Sequence, residues 1–185
     1  MIYGSPGQCL DGRFPAKAGA LTVGRSGELA TAAVLTSFEA AHPEVAILHS
    51  LRLPARKMRT DIDHVVVAGR RVWIIDSKCW APGFYWSWLG LAWRGLRPAP
   101  HARRRTMAAT ARVLQGYLGT SAVVQTPVVV VWPSSEARRL SVWAWRPLDA
   151  KPLTGRRFAA VVNLIVPPAP ADPKVVASLR ELLIA

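Results

Sequence analysis

The chain has 185 residues, of which 51% are hydrophobic and 19% charged. This length suits one domain with its own core, and the composition excludes a disordered chain. Lysine and arginine number 24 against 11 acidic residues, a formal net charge of +13 that favours nucleic acid or an anionic membrane surface as a partner. The two cysteines, Cys9 and Cys79, are too few for a disulfide framework, so we expect a reducing, cytoplasmic setting.

The first 20 residues are rich in glycine and proline and contain no apolar segment of the kind that a secretory signal needs. They indicate a loose N-terminal arm over residues 1–20, followed by a single domain over residues 21–185. The most apolar stretch, residues 80–93, is interrupted by proline and glycine and falls short of the roughly 20 residues that span a bilayer. We therefore expect no integral membrane association.

A helix is predicted to begin near Ser26, with that residue or Gly27 as its cap, and to stop before Pro43. Glu28 would then lie in the first turn, where the helix dipole favours an acidic side chain. The apolar run that follows, residues 45–53, indicates a strand.

After a basic loop over residues 54–60, two runs rich in β-branched residues flank a tight turn at Gly69-Arg70. These runs, residues 62–68 and 72–77, predict a β-hairpin.

The remaining elements are weaker in pattern but follow a clear order. We predict a second, aromatic hairpin that turns near Gly90, a helix over residues 103–118, a buried strand over 127–132, an edge strand over 142–145 and two C-terminal helices, the second capped by Asp172. The order predicts an α/β sandwich around a mixed central sheet.

The first hairpin places charged side chains at the ends of otherwise apolar strands. Because side chains two residues apart share a face, Asp76 and Lys78 point the same way, as do Asp61 and Asp63. Two carboxylates and a lysine on adjacent strands suit a hard divalent cation, magnesium or manganese rather than zinc. A simple ion pair and solvated turn residues explain the same spacing, and the spacing alone leaves both interpretations open.

Three short motifs, in this order, resemble the nuclease-related domain (NERD) family of the PD-(D/E)XK nuclease superfamily. They are Gly27-Glu28 at the head of a helix, Ile62-Asp63-His64 on a strand, and Asp76-Ser77-Lys78-Cys79-Trp80 on the next strand. The resemblance covers roughly residues 24–132. It implies a restriction-endonuclease-like sandwich with an α-β-β-β-α-β core, in which helices flank a mixed central sheet.

The resemblance also implies roles for individual side chains. Asp63 and Asp76 would ligate the metal, Lys78 would serve the attacking water, and Glu28 would complete the acidic cluster. We expect His64, which matches the histidine of the family, to be packed or hydrogen-bonded rather than a metal ligand.

The function that the resemblance implies is that of a metal-dependent nuclease, with magnesium or manganese as cofactor and DNA favoured over RNA as substrate. The alternative is a catalytically inactive nuclease-like fold that serves as a nucleic-acid-binding or adaptor module, since a fold does not guarantee its usual activity. The presence of all four candidate catalytic residues favours the enzyme.

A basic region supports a nucleic-acid partner independently of the motifs. No acidic residue occurs between Ser77 and Ser135, whereas arginines recur there. A solvated face is the alternative for any single arginine. We interpret the tryptophans of the aromatic hairpin as packing rather than as a stacking platform. The candidate nucleic-acid-binding residues are Arg94, Arg97, Arg103, Arg104, Arg105 and Arg112.

Overall fold

The computed structural model describes residues 1–8, 18–53, 61–103, 106–135 and 139–184. None of the helices in these residues is long and apolar enough to cross a membrane. The α-helices of the described residues are α1 (Ala18–Ala41), α2 (Met107–Leu118), α3 (Gly155–Ile165) and α4 (Pro173–Arg180).

The strands of the described residues form two sheets. The central sheet contains β1 (Ile2–Tyr3), β2 (Ala46–Arg52), β3 (Asp61–Ala68), β4 (Arg71–Trp80), β8 (Val123–Val124), β9 (Val128–Pro133) and β11 (Lys151–Thr154). The second sheet contains β5 (Gly83–Trp88), β6 (Leu91–Arg94), β7 (Arg97–Pro98) and β10 (Leu140–Ala144).

The central sheet is mixed and is buried on both faces. Its order is β1-β2-β3-β4-β9-β11, with β8 beside β4; β2, β3 and β4 are antiparallel, whereas β9 runs parallel to both β4 and β11. Val72 and Ile74 belong to the core that α2 and α4 cover, and Trp73 and Ile75 to the core under α1 and α3. The predicted α-β-β-β-α-β order with helices on both sides of a mixed sheet is confirmed.

Both predicted hairpins are present. In the first, Gly69 has φ +58°, a conformation that few other residues adopt readily. In the second, Leu89 and Gly90 both have positive φ (47° and 75°), as a tight two-residue hairpin turn requires. The predicted cap of the last helix is also present, since Asp172 Oδ1 accepts from the Lys174 N–H at 2.9 Å.

The predicted start of α1 is wrong. The helix begins at Ala18, so Ser26 and Gly27 lie inside it and Glu28 is not in its first turn. Glycines inside a helix each cost up to about 1 kcal/mol of propensity, and this is why a start after Gly27 looked favourable. Packing against β4 outweighs that cost.

The helix α2 starts four residues later than predicted, because residues 100–103 form a separate 3₁₀ turn. The N-terminus of α2 is capped from a distant part of the chain: the Met107 N–H donates to Asp149 Oδ2 at 3.0 Å. Thr106, which precedes the helix, makes no side-chain capping bond. A cap 42 residues away leaves no local signal in the sequence.

The N-terminal segment also differs from the prediction of a loose arm. Strand β1 pairs in parallel with β2, and the first turns of α1 begin at Ala18. Several predictions, namely the remainder of the arm at residues 9–17, the basic loop at 54–60 and the side chains of Arg104 and Arg105, lie outside the described residues.

Candidate active site

The strands β3 and β4 separate at the position of the first candidate carboxylate. Their antiparallel register runs from Ala68–Arg71 to His64–Ile75 and is not continued to Asp63. Instead, Asp63 Oδ2 accepts a hydrogen bond from the Ser77 N–H at 2.8 Å. Beyond this point β4 pairs with β9, from Ile75 onwards. The aspartate side chain thus replaces a ladder bond and is fixed where the two strands diverge.

Asp76 and Lys78 form an ion pair on β4. The distance from Lys78 Nζ to Asp76 Oδ2 is 2.6 Å, and alternation along the strand places both side chains on the same face. The parallel pairing of β4 with β9 holds both residues, with Asp76 beside Val129 and Lys78 beside Val131. The structure therefore brings this predicted pair together on a rigid element.

Glu28 reaches the same region from α1 because the helix lies unusually close to β4. A Cβ atom added to Gly27 would lie 3.2 Å from the Cys79 Cβ and 3.4 Å from the Lys78 carbonyl carbon. Glu28 itself is 5% exposed, and its Oε2 has no hydrogen-bond partner among the described residues. The backbone N–H of Gly7 donates to the same carboxylate.

The charged groups interact strongly. Burial raises the pKa of Asp63 well above its usual range, and the charge of Asp76 raises it further. Burial also raises the pKa of Glu28, against the opposing effect of Lys78. For Lys78, burial lowers the pKa, but the carboxylates, Asp76 first, outweigh it, so the pKa of Lys78 is raised. Three carboxylates thus surround one ammonium group, and Arg25 adds a second positive charge that acts on Glu28.

A chain of buried hydrogen bonds lies beneath this cluster. The Nδ1 atoms of His49 and His64 are 2.8 Å apart, and His64 Nε2 is 3.1 Å from Ser77 Oγ. Ser77 Oγ donates to Thr31 Oγ1 at 2.8 Å, and Trp132 Nε1 donates to the same oxygen at 2.8 Å.

The donor and the acceptor of each hydrogen bond in this polar chain can be assigned by starting from Thr31. Thr31 Oγ1 donates to the Gly27 carbonyl, so both of its lone pairs accept, from Trp132 and Ser77. Ser77 must then accept from the His64 Nε2–H, which leaves His64 Nδ1 to accept from His49. Both histidines are neutral: burial lowers the pKa of His49 to about 4 and that of His64 well below its usual value.

The polar chain connects β2, β3, β4 and β9 to the turn of α1 that carries Glu28. The prediction that His64 is hydrogen-bonded is confirmed. Sequence reasoning missed His49, Thr31 and Trp132 as members of the same network. His49 gave the one visible signal, a histidine inside the apolar strand β2, where it is 2% exposed.

Among the described residues, no group of three or more His, Cys, Asp and Glu side chains lies close enough to hold a metal ion. Magnesium needs no such group, since it commonly takes one or two carboxylates and fills the rest of its shell with water and substrate phosphate. Asp63 and Asp76 offer hard oxygen donors of this kind, and Glu28 Oε2 is a buried oxygen without a partner. The donor set therefore fits magnesium or manganese.

The four candidate arginines that the structure describes are spread over the second sheet and the region after it. Arg97, Arg103 and Arg112 are exposed, whereas Arg94 is half-buried and hydrogen-bonded to Tyr85. The structure does not gather them into one cluster with the acidic residues. They lie on β6, β7, the 3₁₀ turn and α2.

A mixed sheet with helices on both faces, and an acidic pair with a lysine where two of its strands part, define a restriction-endonuclease-like α/β protein. The family model of the nuclease-related domain matches residues 23–132, more than half of the chain, and the chain belongs to this family. No curated protein and no solved structure matches the chain.

Proposed function

We propose that the protein is a metal-dependent nuclease that hydrolyses phosphodiester bonds in nucleic acid, with DNA preferred to RNA, in the cytoplasm. The observation that carries the proposal is the crowding of charge around Lys78. Its ammonium group contacts Asp76 at 2.6 Å and interacts electrostatically with Asp63 and Glu28. Membership of the nuclease-related family supports the same chemistry.

We assign Asp63 and Asp76 to the divalent cation. When bound, such a cation lowers the pKa of a coordinated water and polarises the scissile phosphate. Asp63 is held in place by the Ser77 N–H and Asp76 by its strand, so neither carboxylate needs to reorganise to meet the cation.

Lys78 has three N–H donors, and Asp76 uses one of them in the ion pair. The Ser77 carbonyl accepts from a second at 3.3 Å, and the third is available to orient a water or to hold a phosphate oxygen. The raised pKa keeps the lysine protonated at neutral pH, so it donates hydrogen bonds and does not act as a base. Glu28 adds a buried negative charge that favours binding of the cation.

The test is cleavage of supercoiled plasmid and of single-stranded DNA with magnesium, with manganese and with a chelator. We expect cleavage that the chelator abolishes. Asp76→Asn and Lys78→Met should each reduce it by at least about a hundredfold, since a bound cation contributes several kcal/mol to such reactions.

Asp61→Asn is the matched control, because Asp61 lies on the same strand as Asp63 but is not placed in the site. It should cleave like the parent. Robust cleavage by Asp76→Asn would contradict the proposal, and so would a parent that binds DNA without cleaving it under any condition. The second result would identify a binding or adaptor module.

A further inference from the structure

The second sheet has an outer face made of aromatic rings. Phe84, Trp86 and Trp88 alternate along β5 and therefore share one face. Trp93 is paired directly with Trp86, and their rings stack at 5.8 Å with an interplanar angle of 17°. Trp143 on β10 contacts the Phe84 ring at 5.8 Å. We call these five residues the aromatic face.

The opposite face of the sheet is the one that packs on the core. Tyr85, between two residues of the aromatic face, is fully buried, and its ring lies 4.9 Å from that of Trp80. Ala92 and Val142 are also buried in this core. Three rings of the aromatic face remain accessible, since Trp143 is 71%, Trp88 64% and Phe84 40% exposed, whereas Trp86 and Trp93 are half-buried. An exposed apolar surface of this kind marks a binding site.

The charged residues of the second sheet are all arginines, but Arg94 and Arg97 share the face of Tyr85 because Arg94 is paired with Tyr85 and with Arg97. The second sheet and its turns, residues 83–98 and 139–146, contain four arginines and no lysine, aspartate or glutamate. The Arg146 guanidinium donates to the Trp143 carbonyl and is thereby held at the edge of the aromatic face. Two copies of the chain joined through this face would bring their Arg146 side chains together without an acidic residue of the second sheet between them, so self-association through this face is disfavoured.

We propose that the aromatic face binds single-stranded nucleic acid by stacking unpaired bases on its exposed rings, with the arginines on the phosphates. This inference rests on the proposed function for its partner. Stacking on aromatic side chains needs a free base, and a duplex does not present one. Exposed rings with an arginine at their edge therefore select single strands, or single-stranded ends and loops, over duplex.

The aromatic face is directly connected to the candidate active site. Phe84 is six positions after Lys78 in the chain, a span of at most about 20 Å in extended chain. Trp80, two residues after Lys78 on β4, packs its ring against Tyr85 on the buried face of the second sheet, so the second sheet adjoins the end of β4. A single-stranded nucleic acid bound on the aromatic face can therefore reach the acidic cluster within a few nucleotides.

The experiment is a fluorescence anisotropy titration, in chelator to prevent cleavage, with a labelled 20-nucleotide oligothymidylate and a 20-base-pair duplex. Trp88→Ala and Trp143→Ala should each weaken binding of the single strand about tenfold, and the double variant more. Duplex binding should change less than twofold. The single strand should also quench the tryptophan fluorescence of the parent.

Leu164→Ala is the matched control, because Leu164 is 76% exposed on α3 and apolar but lies outside the aromatic face. It should bind both ligands like the parent, and Trp143→Phe should retain most of the affinity. Thermal melting confirms that each variant is folded.

Equal losses on both ligands, or no loss on the single strand, would overturn the inference. A parent that binds neither ligand but binds phosphatidylserine vesicles, or a dimer that Trp143→Ala dissociates, would overturn it as well. Loss of tryptophan-dependent binding refutes the aromatic face alone, whereas binding without magnesium-dependent cleavage refutes the proposed nuclease alone.

Discussion

The two sheets of this protein differ in what their buried and exposed faces carry. The central sheet is covered on both faces, and its candidate active-site residues Asp63, Asp76 and Lys78 lie where β3 and β4 part. The second sheet is covered on one face only, and its outer face carries exposed rings with Arg146 at their edge. Reactive groups thus lie on the rigid, buried element, and accessible contact groups lie on the element that solvent reaches.

The same comparison applies to stability. The acidic cluster of the central sheet keeps carboxylates in surroundings that raise their pKa values, so the metal-free protein is destabilised there at neutral pH. The polar chain a few ångströms away has its hydrogen bonds satisfied and is neutral. Truncation of the exposed aromatic side chains of the second sheet should change the free energy of unfolding only a little. Substitutions should therefore separate activity, stability and affinity.

The largest effect is expected for Asp63→Asn. It should reduce magnesium-dependent cleavage by at least about a hundredfold, because a negative ligand is lost. In chelator at pH 7 it should nevertheless raise the melting temperature, since the asparagine Oδ1 still accepts from the Ser77 N–H and the buried charge is gone. Calorimetry measures the second effect.

The sign of the pH dependence follows from the raised pKa of Asp63. Its contribution to stability is present below the pKa of the unfolded chain and is lost as the pH rises, so the gain on substitution should be larger at pH 8 than at pH 4. Asp61→Asn should show neither the loss of activity nor the gain. A destabilised Asp63→Asn would mean that the carboxylate is not under electrostatic strain.

The histidines should make the protein sensitive to acid. The pKa of His49 is about 6.5 in the unfolded chain and about 4 in the fold, so its contribution is complete above pH 6.5 and is lost towards pH 4. This amounts to about 3 kcal/mol, and His64 acts in the same direction.

The raised pKa values of Glu28 and Asp63 make the free energy of unfolding change with pH in the opposite direction. The measurement of its pH dependence is therefore best made in the double variant Glu28→Gln/Asp63→Asn, which lacks both carboxylates. Urea titrations at pH 7, 5.5 and 4.5 should show the free energy of unfolding falling with pH. A flat response in this variant would contradict the neutral, buried state of the two histidines.

Thr31→Val tests the polar chain itself. Valine keeps the shape but removes the oxygen that accepts from Ser77 and Trp132, which leaves two buried donors without a partner. We expect a loss of about 2–3 kcal/mol in the free energy of unfolding. Thr36→Val on the exposed side of the same helix should cost only a few tenths of a kcal/mol. Comparable losses in the two variants would show that the network contributes nothing specific.

The smallest effect is expected for single arginines of the second sheet. Arg97→Ala should reduce the slope of log affinity against log salt by about 0.7 on single-stranded DNA, as loss of one phosphate contact requires. Arg156→Ala on α3 is the control and should leave the slope unchanged. If Arg97→Ala leaves it unchanged too, this arginine is only a solvated side chain.

The sequence predicts the central sheet better than the second sheet for a physical reason. The hairpin of β3 and β4 is formed by neighbouring residues whose alternation and turn are local, and the pair Asp76–Lys78 follows from spacing two along one strand. These features survive in the structure as predicted.

The features that sequence analysis missed depend on distant segments. Strand β10 joins β5 across more than 50 residues, and it is this pairing that places Trp143 beside Phe84 and makes the tryptophans a surface rather than hairpin packing alone. The polar chain likewise combines Thr31 with Trp132. No local pattern encodes either contact.

The central claim is that the central sheet carries the reaction and the second sheet carries the substrate. Single-turnover cleavage of a single-stranded oligonucleotide, over a range of protein concentrations, tests it most directly because it separates the saturating rate from the half-saturating concentration. We expect Lys78→Met to lose the saturating rate with the half-saturating concentration unchanged, and Trp88→Ala/Trp143→Ala to show the reverse. A lysine variant that fails mainly in binding, or a tryptophan variant with a lost saturating rate, would contradict this division between the two sheets.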